Sequence, residues 1–168
     1  MYGGGRNAPG APPRFSLLLL EDGEDYVDDW VATAEWPATI PGGGAGVGGG
    51  EVPGRVRLAS RSLLFEPDDA RSPIVRLPLA SVTSLEATGP PGIVTVAAGA
   101  AVRMRAGGAD APYAFDRPSP PAEWTFRLLY APLDDFMPEA MRYLALSRLP
   151  RGEVRAALAA AAADRAAR

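Results

Sequence analysis

What most constrains this chain is a series of short apolar runs at a period of two, repeated from Gly54 to Leu128 and cut by Gly, Pro and Asp. Val56 and Leu58 alternate with Arg55 and Arg57, a tight turn follows at Ser60-Arg61, and Leu63 and Phe65 resume the alternation. Successive side chains of a strand point to opposite faces, so each such run buries one face and leaves the other to the surface. Ile74–Leu79, Val82–Leu85, Ile93–Val96, Val102–Arg105 and Trp124–Leu128 continue the series. Pro78 has no N–H to give to a ladder, which puts it at a strand end or on an edge. Many short strands with Gly and Pro turns predict a sandwich or a small barrel.

The flanks differ. Arg14–Leu20 is a solid apolar run followed by the acidic stretch Glu21–Asp29 and then Trp30-Val31-Ala32. So few residues leave both a buried strand and a short helix open for that run. Residues 1–13 are expected to be disordered, and residues 41–53 to form a flexible Gly-rich loop, because each Gly is costly to order. Leu133, Phe136, Met137, Ala140, Leu144 and Leu149 trace one face at helical spacing. Pro fits the first turn of a helix, so Pro138 points to Asp135 as the N-cap, and Leu149-Pro150 ends the helix. Residues 150–168 are Ala-rich and helical by propensity, a tail or linker whose apolar face is mostly methyl groups. The expected outcome is a mainly β domain over residues 14–149 with one amphipathic C-terminal helix.

Composition then removes most catalysis. The chain has no His and no Cys, and all 17 of its basic residues are Arg. That excludes His-based nucleophile triads, Cys or His zinc sites, Schiff-base lysines and the P-loop lysine. No enzyme activity, cofactor or metal is expected. With no disulfides, the 47% hydrophobic residues must supply the stability through a packed core. The net charge is −3, yet residues 21–53 alone carry eight carboxylates and no Arg. An acidic chain of this kind is not expected to bind nucleic acid, where affinity comes from neutralising phosphates. Leu17–Leu20 is far too short for a signal peptide or a membrane span, so a cytoplasmic location is expected.

Four features invite a site. Gly44–Gly49 matches GxGxxG, but no strand immediately precedes it, and Glu51-Val52-Pro53 stands where a phosphate-binding helix would begin. Asp22, Glu24, Asp25, Asp28 and Asp29 lack the spacing of a calcium loop and read as a solvated acidic face. Asp68-Asp69 reads as a turn and Asp134-Asp135 as a helix cap rather than as acid–base pairs. Arg55, Arg57 and Arg61, with Arg71 and Arg76 nearby, are the one local basic cluster; Arg contacts phosphate bidentately, so these three are the candidate lipid-phosphate ligands.

Gly54–Asp69, followed by Ser72-Pro73-Ile74-Val75-Arg76-Leu77-Pro78-Leu79, resembles the N-terminal pleckstrin-homology-like, GRAM-type domain of the FAN family of BEACH and WD-repeat proteins. The opening Arg14-Phe15-Ser16-Leu17-Leu18-Leu19-Leu20-Glu21 and the later Ala111-Pro112-Tyr113 are similar to the same domain. The resemblance implies a seven-stranded, partly open antiparallel barrel capped by one helix. It implies a non-enzymatic adaptor that associates with membranes through phosphoinositides and couples to vesicle traffic or signalling. An alternative is a protein-interaction module that packs on an adjacent BEACH domain without touching lipid, through an exposed apolar patch drawn from Trp30, Trp36 or the helix face. The BEACH and WD-repeat regions have no counterpart in these 168 residues, so an excised domain and a stand-alone relative both remain open. The loop between the first two strands, where pleckstrin-homology domains hold basic phosphate ligands, has Glu35 and Glu51 at its ends and no Arg.

Overall fold

The computed structural model describes residues 15–38, 50–90, 92–106, 113–130 and 133–167. Residues 1–13, Gly44–Gly49 and Ala111-Pro112, on which several expectations rest, lie outside the described residues. Among the described residues, nine strands form one antiparallel sheet: β1 (Tyr26–Glu35), β2 (Glu51–Ala59), β3 (Ser62–Pro67), β4 (Ile74–Pro78), β5 (Val82–Ala87), β6 (Ile93–Ala98), β7 (Val102–Ala106), β8 (Tyr113–Phe115) and β9 (Ala122–Leu128). Their order is β5-β6-β9-β1-β2-β3-β4-β7-β8. Two helices follow, α1 (Leu133–Ser147) and α2 (Arg151–Ala166).

Nine strands replace the expected seven, and the ladder is open, with β5 and β8 as its edges. The sheet nonetheless wraps. Phe65 of β3 and Phe126 of β9 stand three strand spacings apart in the ladder, about 14 Å if the sheet were flat. Their ring centroids are 5.8 Å apart, so the strands between them must bend around a common interior. Gly54 sits in that stretch of β2, where an added Cβ would collide with the Glu66 carbonyl oxygen and lie 2.9 Å from Phe65 Cζ. Only a residue without a side chain lets β2 and β3 approach so closely.

Inside the bend lies one core. Trp30, Val56, Leu58, Leu63, Phe65, Val75, Leu77, Val94, Val96, Trp124 and Phe126 fill it, each with the alternation that the sequence shows. The helix closes it with Phe136, Ala140, Tyr143 and Leu144. Phe136 meets Trp30 edge-on, with ring centroids 4.9 Å apart.

Several boundaries move. β2 begins at Glu51, so Glu51–Pro53 belongs to a strand and not to the Gly-rich loop. Pro53 is tolerated because its backbone faces β3 just beyond the last paired residue, Pro67, where its carbonyl accepts from Asp68 and no ladder bond needs its missing N–H. α1 starts at Leu133, two residues before the expected cap, which leaves Pro138 inside the helix and Asp134 and Asp135 in its first turn. There the two carboxylates complement the positive helix end. The capping helix is not single. α2 buries Leu158 and Ala161 in the main core, and its Arg165 donates to the Tyr26 carbonyl at 2.7 Å. Methyl groups suffice here because Leu158 and Val154 supply the bulk and small Ala residues allow close approach.

Of the two alternatives for Arg14–Leu20, its described residues give the short helix and not the strand. Leu17–Leu19 is a single 3₁₀ turn, and Leu19 joins Ala59, Leu64, Ile74 and Met104 in a second cluster on the outer face of the sheet. Thus β3 is buried on both faces: Leu63 and Phe65 inward, Leu64 outward.

Candidate functional site

The basic cluster and the acidic stretch meet on that outer face. Arg55 and Arg57 alternate with inward Val56 and Leu58 on β2, while Asp29 of β1 and Glu66 of β3 flank them. Arg57 is paired directly with Asp29 in the register, and its Nη1 donates to Asp29 Oδ2 at 2.7 Å. On the other side its Nε and Nη2 both donate to Glu66 Oε2, at 3.1 and 2.6 Å. Its guanidinium carbon lies 4.5 Å from the centroid of the Phe15 ring, a cation–π contact. Arg57 is left only 16% exposed in its side chain.

Asp29 is the hub. It accepts from Tyr26 Oη at 2.8 Å, Arg55 Nη1 at 2.5 Å and Arg57. Burial alone would raise its carboxyl, but the Tyr26 hydrogen bond and the two guanidinium groups outweigh it and hold the group below the ordinary carboxylate range. The Tyr26 phenol responds in the other direction: burial and the adjacent Asp29 push it up to about 12. Glu66 has a second duty, since its Oε1 accepts the Phe15 backbone N–H at 2.8 Å. The network therefore ties the N-terminal segment to the sheet.

A second ion pair fastens the acidic turn. Glu24 is fully buried in its side chain and takes Arg76 of β4, Ser62 Oγ at 2.5 Å and the Glu21 N–H at 2.9 Å. Arg76 also reaches Glu21 Oε1 at 3.4 Å. Of the five acids expected on a solvated face, Glu24 and Asp29 are thus structural, whereas Asp22, Asp25 and Asp28 are exposed.

Arg61 is placed differently from its two companions. It sits in the β2–β3 turn, where its Nη1 makes one long contact of 3.4 Å to the Asp22 carbonyl and its buried Nε has no hydrogen-bond partner. Arg71 pairs with Asp69, whose Oδ1 also accepts the Arg71 N–H at 3.0 Å, the Asx turn expected there.

At the base of the β1–β2 loop, Glu35 and Glu51 face each other across the two strands. Thr33 and Arg127 both donate to Glu51 and hold its carboxyl below the ordinary range. Arg127, beside the base of this loop, is therefore already engaged by a carboxylate.

The expected apolar patch is elsewhere. Trp30 is a core residue, Trp36 packs on Trp124 with ring centroids 5.2 Å apart, and the apolar face of α1 is turned into the core. Leu17 and Leu18 are instead the exposed apolar pair, 66% and 78% accessible. Periodicity could not find them, since in a run of four leucines it marks none as outward. No helix among the described residues is long and apolar enough to cross a membrane.

The sheet bent around one core and closed by a C-terminal helix is the arrangement that the resemblance implied, extended by two strands and a second helix. A family model described as the FAN protein N-terminal PH domain matches residues 6–158. With most of its length matched, the chain belongs to the FAN N-terminal PH domain family.

Proposed function

We propose that this chain is a non-enzymatic PH-type adaptor that works by packing on a neighbouring protein domain, with a BEACH domain in cis as the partner suggested by the family. One observation carries this reading: two of the three cations that would hold a lipid phosphate are engaged by carboxylates of the same fold. Arg57 is shared between Asp29 and Glu66, and Arg55 is bound to Asp29. Freeing Arg57 for a phosphate would leave the partly buried Glu66 without its cation, which costs more than a solvent-exposed contact returns.

A second reading, weak binding of a phosphoinositide in a cytoplasmic, membrane-proximal setting, draws support from Arg61, whose guanidinium meets only a backbone carbonyl, and from Arg55, which is 46% exposed in its side chain. One cation and one half-engaged neighbour fall short of the roughly four to eight basic residues that anionic-lipid recognition uses. The discriminating experiment is titration of the chain with a purified BEACH domain of a FAN-type protein, run beside pelleting on phosphatidylcholine vesicles with and without phosphatidylinositol 4,5-bisphosphate. Saturable binding to the domain with equal, negligible pelleting on both vesicles supports the adaptor reading. Phosphoinositide-dependent pelleting with no binding to the domain overturns it.

A further inference from the structure

The exposed leucines belong to a segment that is held in place. Leu19 is 1% exposed and anchors the turn in the outer cluster. Ser16 caps it: its Oγ accepts the Leu18 N–H at 3.1 Å and its carbonyl accepts the Leu19 N–H at 2.9 Å. The Leu20 N–H returns to the Leu17 carbonyl at 3.1 Å, and Phe15 is fixed by Glu66 and by the Arg57 guanidinium. Leu17 and Leu18 are therefore displayed on a fixed knuckle. An apolar pair that is ordered before binding loses little conformational entropy on association, which is the property of an interface anchor.

The surroundings of the knuckle select the partner. Glu21, Asp22 and Asp25, which follow it directly, are all exposed. The one guanidinium that reaches Glu21, Arg76, is already held by buried Glu24, and Arg61 meets Asp22 through its backbone carbonyl. Among the described residues the rim is net negative. An anionic bilayer is repelled by such a rim, whereas a protein surface bearing cations is attracted and steered to it.

We propose that the Leu17-Leu18 knuckle is a docking anchor for a protein surface that offers an apolar socket flanked by Arg or Lys. The proposal rests on the interaction-module reading and assigns it a surface. Its test uses fluorescence anisotropy with two synthetic peptides that share a Leu- and Phe-rich centre, one flanked by Arg and one by Glu, together with pelleting on phosphatidylcholine–phosphatidylserine vesicles. The Arg-flanked peptide is expected to bind the wild-type chain at least about tenfold more tightly than the Glu-flanked one. Leu17→Ser/Leu18→Ser should abolish that binding without moving the thermal midpoint, and Asp22→Asn/Asp25→Asn should erase the preference for Arg flanks while leaving the apolar contact. Arg-flanked binding that survives Leu17→Ser/Leu18→Ser, an absence of binding by either peptide, or an equal affinity for both overturns the knuckle and leaves the adaptor reading standing. Pelleting that depends on Leu17 and Leu18 overturns both.

Discussion

The inner and outer faces of β2, β3 and β4 are built by opposite rules. Inward, Val56, Leu58, Leu63, Phe65, Val75 and Leu77 meet other apolar side chains and nothing polar is required of them. Outward, beside Leu64 and Ile74, the same strands present Arg57, Glu66 and Arg76; Arg57 and Glu66 pair with each other, and the N-terminal segment and β1 add Asp29, Glu24 and the Phe15 N–H. The first face follows from pattern alone, while the second is a set of specific pairings whose members are useless or harmful singly. A cation cluster read along one strand therefore overstates the charge free to bind a ligand.

Substitutions should separate the two faces, and the largest effect belongs inside. Phe126 is 1% exposed and stacks between Trp124 and Phe65, so Phe126→Ala should cost about 3–5 kcal/mol in urea unfolding. On the outer face, Glu24→Ala leaves the Arg76 guanidinium buried without its main carboxylate and should cost about 3 kcal/mol; replacing both, as Glu24→Leu/Arg76→Met, should recover most of that loss. Full recovery would show the outer pair to be dispensable for stability, whereas an unchanged Glu24→Ala midpoint would show that it was never a constraint. Gly54→Ala, which forces a methyl against the Glu66 carbonyl and Phe65, should cost about 2 kcal/mol, between the core and surface extremes.

The smallest effect is a pH slope. The folded chain keeps the Tyr26 proton up to about 12, whereas the unfolded chain releases it near the ordinary value of 10. Because the native state then binds more protons, the contribution is complete below about pH 10 and is lost as pH rises toward 12. Wild-type stability measured by urea midpoint should fall across that window, and Tyr26→Phe should flatten the fall. On the acid side Asp29, whose carboxyl is depressed, contributes above about pH 4 and loses its contribution as pH falls through its folded value.

The same contrast explains what the sequence made legible. The period-two runs located β2 to β7 and β9 closely, because each buries one face in the main core. They missed β1, which begins inside the acidic stretch with a bulge at Tyr26–Asp28, and β8, whose three residues are too short to show a period; the helix reading gave the wrong start for α1, where Leu133 packs on the core and draws the helix past the cap rule. Ala-rich α2 read as a tail because its burial rests on Leu158 and Ala161, with Val154 packed beside them. At the site, Arg55 and Arg57 lie together on the outer face of β2, whereas Arg61 sits apart in the β2–β3 turn. The carboxylates on this face were not visible, since Asp29 is 28 residues from Arg57 and Glu24 is 52 from Arg76, and nothing in a pattern of charges states which pairs will meet. The one exposed Arg contact that was predictable, Arg71 with Asp69, is local.

The central claim is that Arg57 serves the fold and not a lipid. Arg57→Gln, measured side by side with the wild-type chain for thermal midpoint and for pelleting on phosphoinositide-containing vesicles, tests it most directly. The account predicts a lower midpoint, from the loss of both carboxylate pairs and the Phe15 contact, with pelleting unchanged and negligible. An unchanged midpoint together with pelleting that is present in the wild type and lost in Arg57→Gln would contradict it.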